Sequence, residues 1–148
     1  MPNTQAIFLA LACSFLIACT TATAKSSGAV AALDHKVAAW NQHNLDEVLN
    51  AYLQSDTMSF ISGNHELLGY KALSEQYHKW YANKENMGKI GYSKLQTIQL
   101  GKKNTLCTGH WSLDEPNQPH EEGVFSLVYV DTPKGWKIVR EHLSNLKE

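Results

Sequence analysis

The 148-residue chain has a formal charge of −1, with 13 basic and 14 acidic side chains and no long run of either sign. This length suits one compact domain with its own core, so a second domain is not expected. The charge balance excludes the basic surface by which proteins bind nucleic acid, and no nucleic-acid partner is predicted.

The start of the chain is typical of an export signal. Residues 6–18, AIFLALACSFLIA, contain no charge and are too short to cross a bilayer as a stable helix. The segment LIAC, at the end of this run (16–19), resembles a bacterial lipobox, in which cleavage occurs before a cysteine that carries diacylglycerol. Residues 1–18 are therefore predicted to be a lipoprotein-type signal peptide, with Cys19 lipidated and anchoring the protein to a membrane. Cleavage after Ala24, in a small-x-small pattern, is the alternative and would give a soluble periplasmic protein.

The composition changes after the leader. Residues 19–28 are mostly small and polar, which predicts a flexible tether to a domain at 29–148. Because Cys13 and Cys19 belong to the leader region, Cys107 is the cysteine that remains inside the domain, and no internal disulfide is predicted. A lone cysteine in such an apolar run is expected to be a small buried hydrophobic residue.

Apolar residues at helical spacing predict three helices. The first covers residues 29–42 and the third covers residues 70–82. The second begins after Asn44, whose side chain can cap it, with Glu47 placed three residues later as in a capping box. The turn sequence at 63–65 then predicts a small β-hairpin between the second and third helices.

From Ile90 onward the apolar period changes to two, which predicts strands. Their connections are short, so neighbouring strands should pair antiparallel. Helices followed by such a sheet make an α+β domain with the helices on one face. The four strands are predicted at 91–100, 104–113, 123–131 and 136–143.

Five short motifs follow one another along the domain: VAAWN at 37–41, FISG at 60–63, TGHW at 108–111, GVF at 123–125 and GWKIV at 135–139. In order and spacing they resemble the nuclear transport factor 2-like superfamily, and within it the SnoaL-like proteins related to the association domain of calcium/calmodulin-dependent protein kinase II. The resemblance implies a cone-shaped fold in which three N-terminal helices pack on a curved antiparallel sheet around a pocket. It also implies a homodimer through the outer face of the sheet, and no cofactor. It does not identify a reaction, because this fold hosts isomerases, dehydratases, cyclases and non-catalytic association domains.

The last strand holds the most informative ionisable residues. Regular alternation places Trp136, Arg140 and His142 on one face and Glu141 on the other. If the first face lines the pocket, His142 is a candidate catalytic residue, because imidazole titrates near neutral pH, and Arg140 would bind an anionic group. If Glu141 points inward instead, the other two side chains face a partner subunit, and a binding module is favoured.

The other candidate ligand-binding residues are aromatic side chains and one histidine, which could surround an apolar molecule and offer it a few polar contacts. His110 would approach His142 if their strands paired. No spacing typical of a metal site occurs, and no metal is predicted. The candidates are Trp40, Tyr52, Phe60, Tyr77, Trp80, His110, Trp111, Trp136 and Arg140.

The sequence thus predicts an exported protein that dimerises and binds a small, largely apolar ligand in a cone-shaped pocket. Two alternatives stay open. One is a cofactor-free acid/base enzyme of the isomerase, dehydratase or cyclase type that uses His142, and the other is an association module with a vestigial pocket.

Overall fold

The computed structural model describes residues 20–146, in which helices pack on one face of a curved six-stranded sheet. The α+β, cone-shaped fold class predicted from the sequence is confirmed. A short 3₁₀ helix at Lys84–Met87, which the sequence pattern did not predict, precedes the long strands. The elements are α1 (Thr20–Asn41), α2 (Leu45–Asn50), β1 (Ser59–Ser62), β2 (His65–Leu68), α3 (Tyr70–Trp80), β3 (Lys89–Gln99), β4 (Asn104–Asp114), β5 (Glu121–Thr132) and β6 (Gly135–Asn145).

The helices begin and end close to the predicted positions, with one exception. α1 begins at Thr20 rather than at Ala29, so it includes most of the segment for which the composition predicts a tether. That segment contains no proline, so nothing in its backbone prevents the helix from extending backward. The predicted cap of α2 is confirmed, since the Asn44 side chain accepts a hydrogen bond from the backbone N–H of Glu47 at 3.3 Å. Within residues 20–146, no helix combines the length and hydropathy that crossing a membrane requires.

The sheet has the strand order β2-β1-β6-β5-β4-β3. The long strands form an antiparallel meander, as their short connections predict. The predicted hairpin, β1–β2, joins this sheet, with β1 parallel to β6. This pairing places Phe60 directly beside Glu141. The hairpin therefore contributes to the same inner face as the last strand.

A β-bulge in β6 decides which of its side chains point inward. Tyr129 of β5 pairs with Ile138, whereas Val128 pairs with Arg140, so Val139 is an extra residue with no partner in the ladder. One extra residue reverses the alternation of all side chains beyond it. Ile138 and Glu141 consequently share the inner face. The predicted regular alternation is wrong from Val139 onward.

The core lies between the helices and the inner face of the sheet. Leu33, Leu73 and Ile138, from α1, α3 and β6, are each 0% exposed. Cys107 is also fully buried, as predicted, and burial followed by the charge of Asp34 raises the pKa of its thiol to about 11. The thiol therefore stays protonated at neutral pH and packs as a small apolar group.

Candidate functional site

The helices and the inner face of the sheet enclose a cavity of about 550 Å³. This volume lies in the range of small-molecule binding sites. Helices α1 and α3 supply one side of the wall, and strands β1, β3, β4 and β6 supply the other. The wall is mainly aromatic, from Trp40, Phe60, Tyr77, Trp80, Tyr81, Tyr92 and Trp111.

Tyr77 is the centre of the aromatic wall. Its ring meets the ring of Phe60 edge-to-face at a centroid distance of 5.6 Å and that of Tyr81 at 5.9 Å. Trp40 stands edge-to-face on Tyr81 at 5.0 Å, and its indole N–H donates a hydrogen bond to the backbone carbonyl of Met87 at 2.7 Å. Edge-to-face pairs add to the stabilisation from apolar burial. The rings are thus held in defined orientations.

The floor of the cavity contains a buried ion pair between α1 and β6. The Lys36 ammonium donates to both carboxylate oxygens of Glu141, at 2.9 and 2.8 Å. The two side chains are only 4% and 1% exposed. The ammonium also lies over the ring of Tyr52, 4.9 Å from its centroid, in cation–π contact. Since both carboxylate oxygens are engaged, the charges at the floor neutralise each other.

Two tyrosines extend this ion pair into a hydrogen-bonded chain. The Tyr52 hydroxyl donates to Glu141, and the hydroxyls of Tyr52 and Tyr77 lie 3.3 Å apart. Because the single Tyr52 proton is given to the carboxylate, Tyr77 is the donor to the Tyr52 oxygen. Burial, followed by the charge of Glu141, raises the pKa of both phenols well above its ordinary value. Both phenols therefore remain protonated donors at any physiological pH.

Two polar atoms of the cavity wall are buried without a partner among residues 28–146. They are the Tyr92 hydroxyl and the Trp111 indole N–H. The pKa of Tyr92 is raised well above its ordinary value by burial and then by the charge of Glu141, so its hydroxyl keeps its proton. An unpaired buried donor costs free energy until an acceptor reaches it. Both donors therefore lie in the packed interior, where the Trp111 N–H packs against Gly123.

The mouth of the cavity is polar and acidic. Glu115 and Glu121 line it, with Asn117 and Gln118 of the loop between β4 and β5. Burial and then the charge of Glu121 raise the pKa of the Glu115 carboxyl. Within the described part of the chain, no His, Cys, Asp and Glu side chains cluster in a way that could hold a metal ion.

Six of the predicted site residues come together at this cavity. Five of them line it, and Tyr52 lies at its floor through its hydrogen bond to Glu141. Trp136 does not line it, because the side chain packs against Gly28 of α1 and borders a separate cleft of about 200 Å³. The five lining residues are Trp40, Phe60, Tyr77, Trp80 and Trp111.

The other predicted residues lie on the outer face of the sheet. The bulge at Val139 turns Arg140 and His142 away from the cavity, where they pair in register with Val128 and Ser126 of β5. Arg140 donates a hydrogen bond to the Ser59 hydroxyl at 2.9 Å. The geometry thus gives no support to a role for His142 as proton carrier in the cavity, or for Arg140 as its anion-binding group.

His110 also lies on the outer face, where it pairs with Val124 of β5. Strand β5 separates β4 from β6, so His110 and His142 are not neighbours across one strand pair. The strand pairing on which their approach was conditional is therefore not formed.

Sequence reasoning missed Lys36 and considered Glu141 only as the alternative inward residue. One signal for Lys36 was present. It lies three residues after Leu33 and four before Trp40, inside the apolar stripe of α1. A lysine at such a position must find a buried anion. Tyr92 carried no comparable signal, since it occupies an ordinary strand position.

The fold and the enclosed cavity define a cone of the nuclear transport factor 2-like type, with a small-molecule pocket between helices and sheet. The chain belongs to the SnoaL-like domain family, whose pattern matches residues 29–147. The family predicted from the short motifs is thereby confirmed.

Solved structures with the same fold come from several bacteria. An NTF-2 like protein of unknown function from Shewanella oneidensis MR-1 is 25% identical, with a TM-score of 0.74 over 80% of this chain and 98% of that one. A nuclear transport factor 2 (NTF2-like) superfamily protein from Salmonella enterica is 17% identical, with a TM-score of 0.68 over 87% and 95%. A Xanthomonas campestris protein named "putative calcium/calmodulin dependent protein kinase II association domain" is 18% identical, with a TM-score of 0.66 over 80% and 86%. No curated protein matches this chain.

Breaking the ion pair at the floor should destabilise the protein strongly. Lys36→Met leaves the Glu141 carboxylate buried without its partner, and we expect the free energy of unfolding to fall by about 3–5 kcal/mol. The double variant Lys36→Met/Glu141→Leu should lose less than Lys36→Met alone. Urea unfolding followed by circular dichroism measures both effects.

The exposed pair Lys71–Glu75, at 3.9 Å, supplies the matched control. Lys71→Met should cost less than about 1 kcal/mol, because surface ion pairs contribute little. Equal losses for Lys36→Met and Lys71→Met would show that the buried pair does not stabilise the fold.

Proposed function

We propose that this protein binds a small, largely apolar molecule in the cavity between its helices and its sheet. The observation that carries the proposal is a 550 Å³ cavity with an aromatic wall and a floor whose charges are already paired. An apolar molecule gains free energy by leaving water for such a wall, at roughly 25 cal/mol per Å² of apolar surface.

The positions and hydrogen-bond partners of two ionisable side chains, His142 and Glu141, favour binding over acid/base catalysis. His142, the residue that the enzyme hypothesis needs, lies on the outer face of the sheet. Glu141 is the buried carboxylate at the cavity floor, but it accepts from Lys36 and Tyr52. Both oxygens of this carboxylate are already engaged by donors of the protein, so it is poorly placed to contact a ligand. The cavity therefore suits holding a ligand better than moving a proton.

The binding proposal can be tested with N-phenyl-1-naphthylamine, a neutral dye whose fluorescence rises in apolar surroundings. The native chain should bind it with a saturable signal. Ser62→Trp, at a cavity-lining position of β1, should weaken binding at least about tenfold, which corresponds to about 1.4 kcal/mol. Asn64→Trp is the control, because Asn64 is exposed in the turn of the same hairpin.

Loss of affinity in Ser62→Trp alone would support a ligand in the cavity. Equal binding by both variants would place the dye elsewhere. No binding by the native chain would favour the association module with a vestigial pocket.

We also propose that the protein forms a homodimer through the outer face of the sheet. Ile98 and Val124 on this face are 57% and 39% exposed, and Leu106, Val128 and Val130 extend the same apolar surface. A contiguous apolar surface is typical of a protein–protein contact. Arg140 and His142 would then lie in or beside the interface.

Val128→Lys should convert the dimer to a monomer, because it would place two unpaired ammonium groups in a desolvated contact. Light scattering coupled to size exclusion measures the mass at several concentrations. Leu146→Lys, at an exposed apolar residue beyond β6, should leave the dimer intact. A monomeric native chain at high concentration would contradict the proposal.

Export and lipid anchoring form a further part of the proposed function. Both rest on the charge-free run at 6–18 and on Cys19, which lie outside the described residues. Cys19→Ser should move the protein from the membrane fraction to the soluble fraction in cells that process lipoproteins, because the acyl chains are lost. Unchanged fractionation would refute the lipid anchor.

A further inference from the structure

The charges that line the cavity do not balance. Lys36 is the one lysine or arginine among the described lining residues, and Glu141 neutralises it. The carboxylates of Glu115 and Glu121 remain at the mouth. Neither has an ion-pair partner within residues 28–146. The cavity therefore carries two uncompensated negative charges at its entrance.

The two carboxylates are close enough to act on the same neighbouring groups. Burial, and then the charges of Glu115 and Glu121, raise the pKa of Tyr81. Burial, and then the charge of Glu121, raise the pKa of Glu115. Tyr81 lies in contact with Trp40, so the acidic mouth adjoins the aromatic wall. A cation placed there would relieve the repulsion between the two acids.

The aromatic wall also favours a cation in the cavity. The faces of tryptophan and tyrosine rings attract an ammonium group within about 6 Å of the ring centroid. Trp40, Trp80 and Tyr81 line the same cavity as Glu115 and Glu121. Their rings are fixed by mutual contacts, with Tyr77 packed against all three. A cation here therefore meets rings that need little further ordering.

We infer that the ligand of this cavity is an organic amine, with its apolar body against the aromatic wall and its ammonium group between Glu115 and Glu121. The inference rests on the proposed function and specifies its ligand class. Anions are excluded, since the lone cation of the lining is already paired and the mouth repels them.

Three probes with one naphthyl-ethyl skeleton test the inference: 2-(1-naphthyl)ethylamine, 2-(1-naphthyl)ethanol and 3-(1-naphthyl)propionate. They differ mainly in charge. Isothermal titration of the full native chain in low salt should show the amine binding about tenfold more tightly than the alcohol. The propionate should bind more weakly than the alcohol. Added salt should reduce the preference for the amine.

Glu115→Gln/Glu121→Gln should bring the affinity for the amine close to that for the alcohol and leave the affinity for the alcohol unchanged. Glu75→Gln is the matched control, since Glu75 is exposed on α3 and does not line the cavity. Its preference for the amine should equal that of the native chain.

The possible outcomes separate the two proposals. If the alcohol binds the native chain as tightly as the amine, the ligand class is wrong while a binding cavity is retained. If the double variant keeps the native preference, the two carboxylates do not recognise the cation. If none of the three probes binds, the binding cavity itself fails.

Discussion

The buried ion pair between Lys36 and Glu141 is the contact on which the arrangement of the molecule depends. It joins the first helix to the last strand, 105 positions apart in the chain. Neither charge could leave water without the other, because an unpaired buried charge costs several kcal/mol. The helix layer therefore packs on the sheet where ammonium and carboxylate meet. That contact also closes the floor of the cavity with no net charge.

The bulge at Val139 allows the ion pair between Lys36 and Glu141 to form. With regular alternation, Glu141 would share a face with Lys137 and Val139, and His142 would point with Ile138 into the core. The extra residue keeps Ile138 in the core and also turns Glu141 toward it. The same backbone irregularity sends Arg140 and His142 to the outer face. The extra residue, Val139, thus decides which side chains of β6 face the cavity and which face the outer side of the sheet, where a partner can bind.

This separation explains why the cavity differs from the site that its sequence suggests. Arg140 and His142 lie outside, on the proposed dimer surface, whereas His65 lines the cavity. Inside are protonated phenols and a carboxylate that is held by a lysine. The features on which the proposed binding rests are then the aromatic wall and the acidic mouth. A fold that elsewhere supports catalysis can in this way serve for binding.

The sequence by itself determined the local structure: the helices, the Asn44 cap, the antiparallel meander, and the aromatic residues that form most of the cavity wall. Each follows from periodicity or from neighbours a few positions apart. Only the tertiary structure decided that the hairpin pairs parallel with β6, that Val139 is a bulge, and that Lys36 meets Glu141. The hairpin pairing and the ion pair depend on contacts between residues about 80 to 105 positions apart, where no local pattern sets the register. The bulge lies in the pairing of β5 with β6, and no pattern in the sequence marks its extra residue. The wall of the site was therefore readable from the sequence, whereas the identity of its charged groups required the fold.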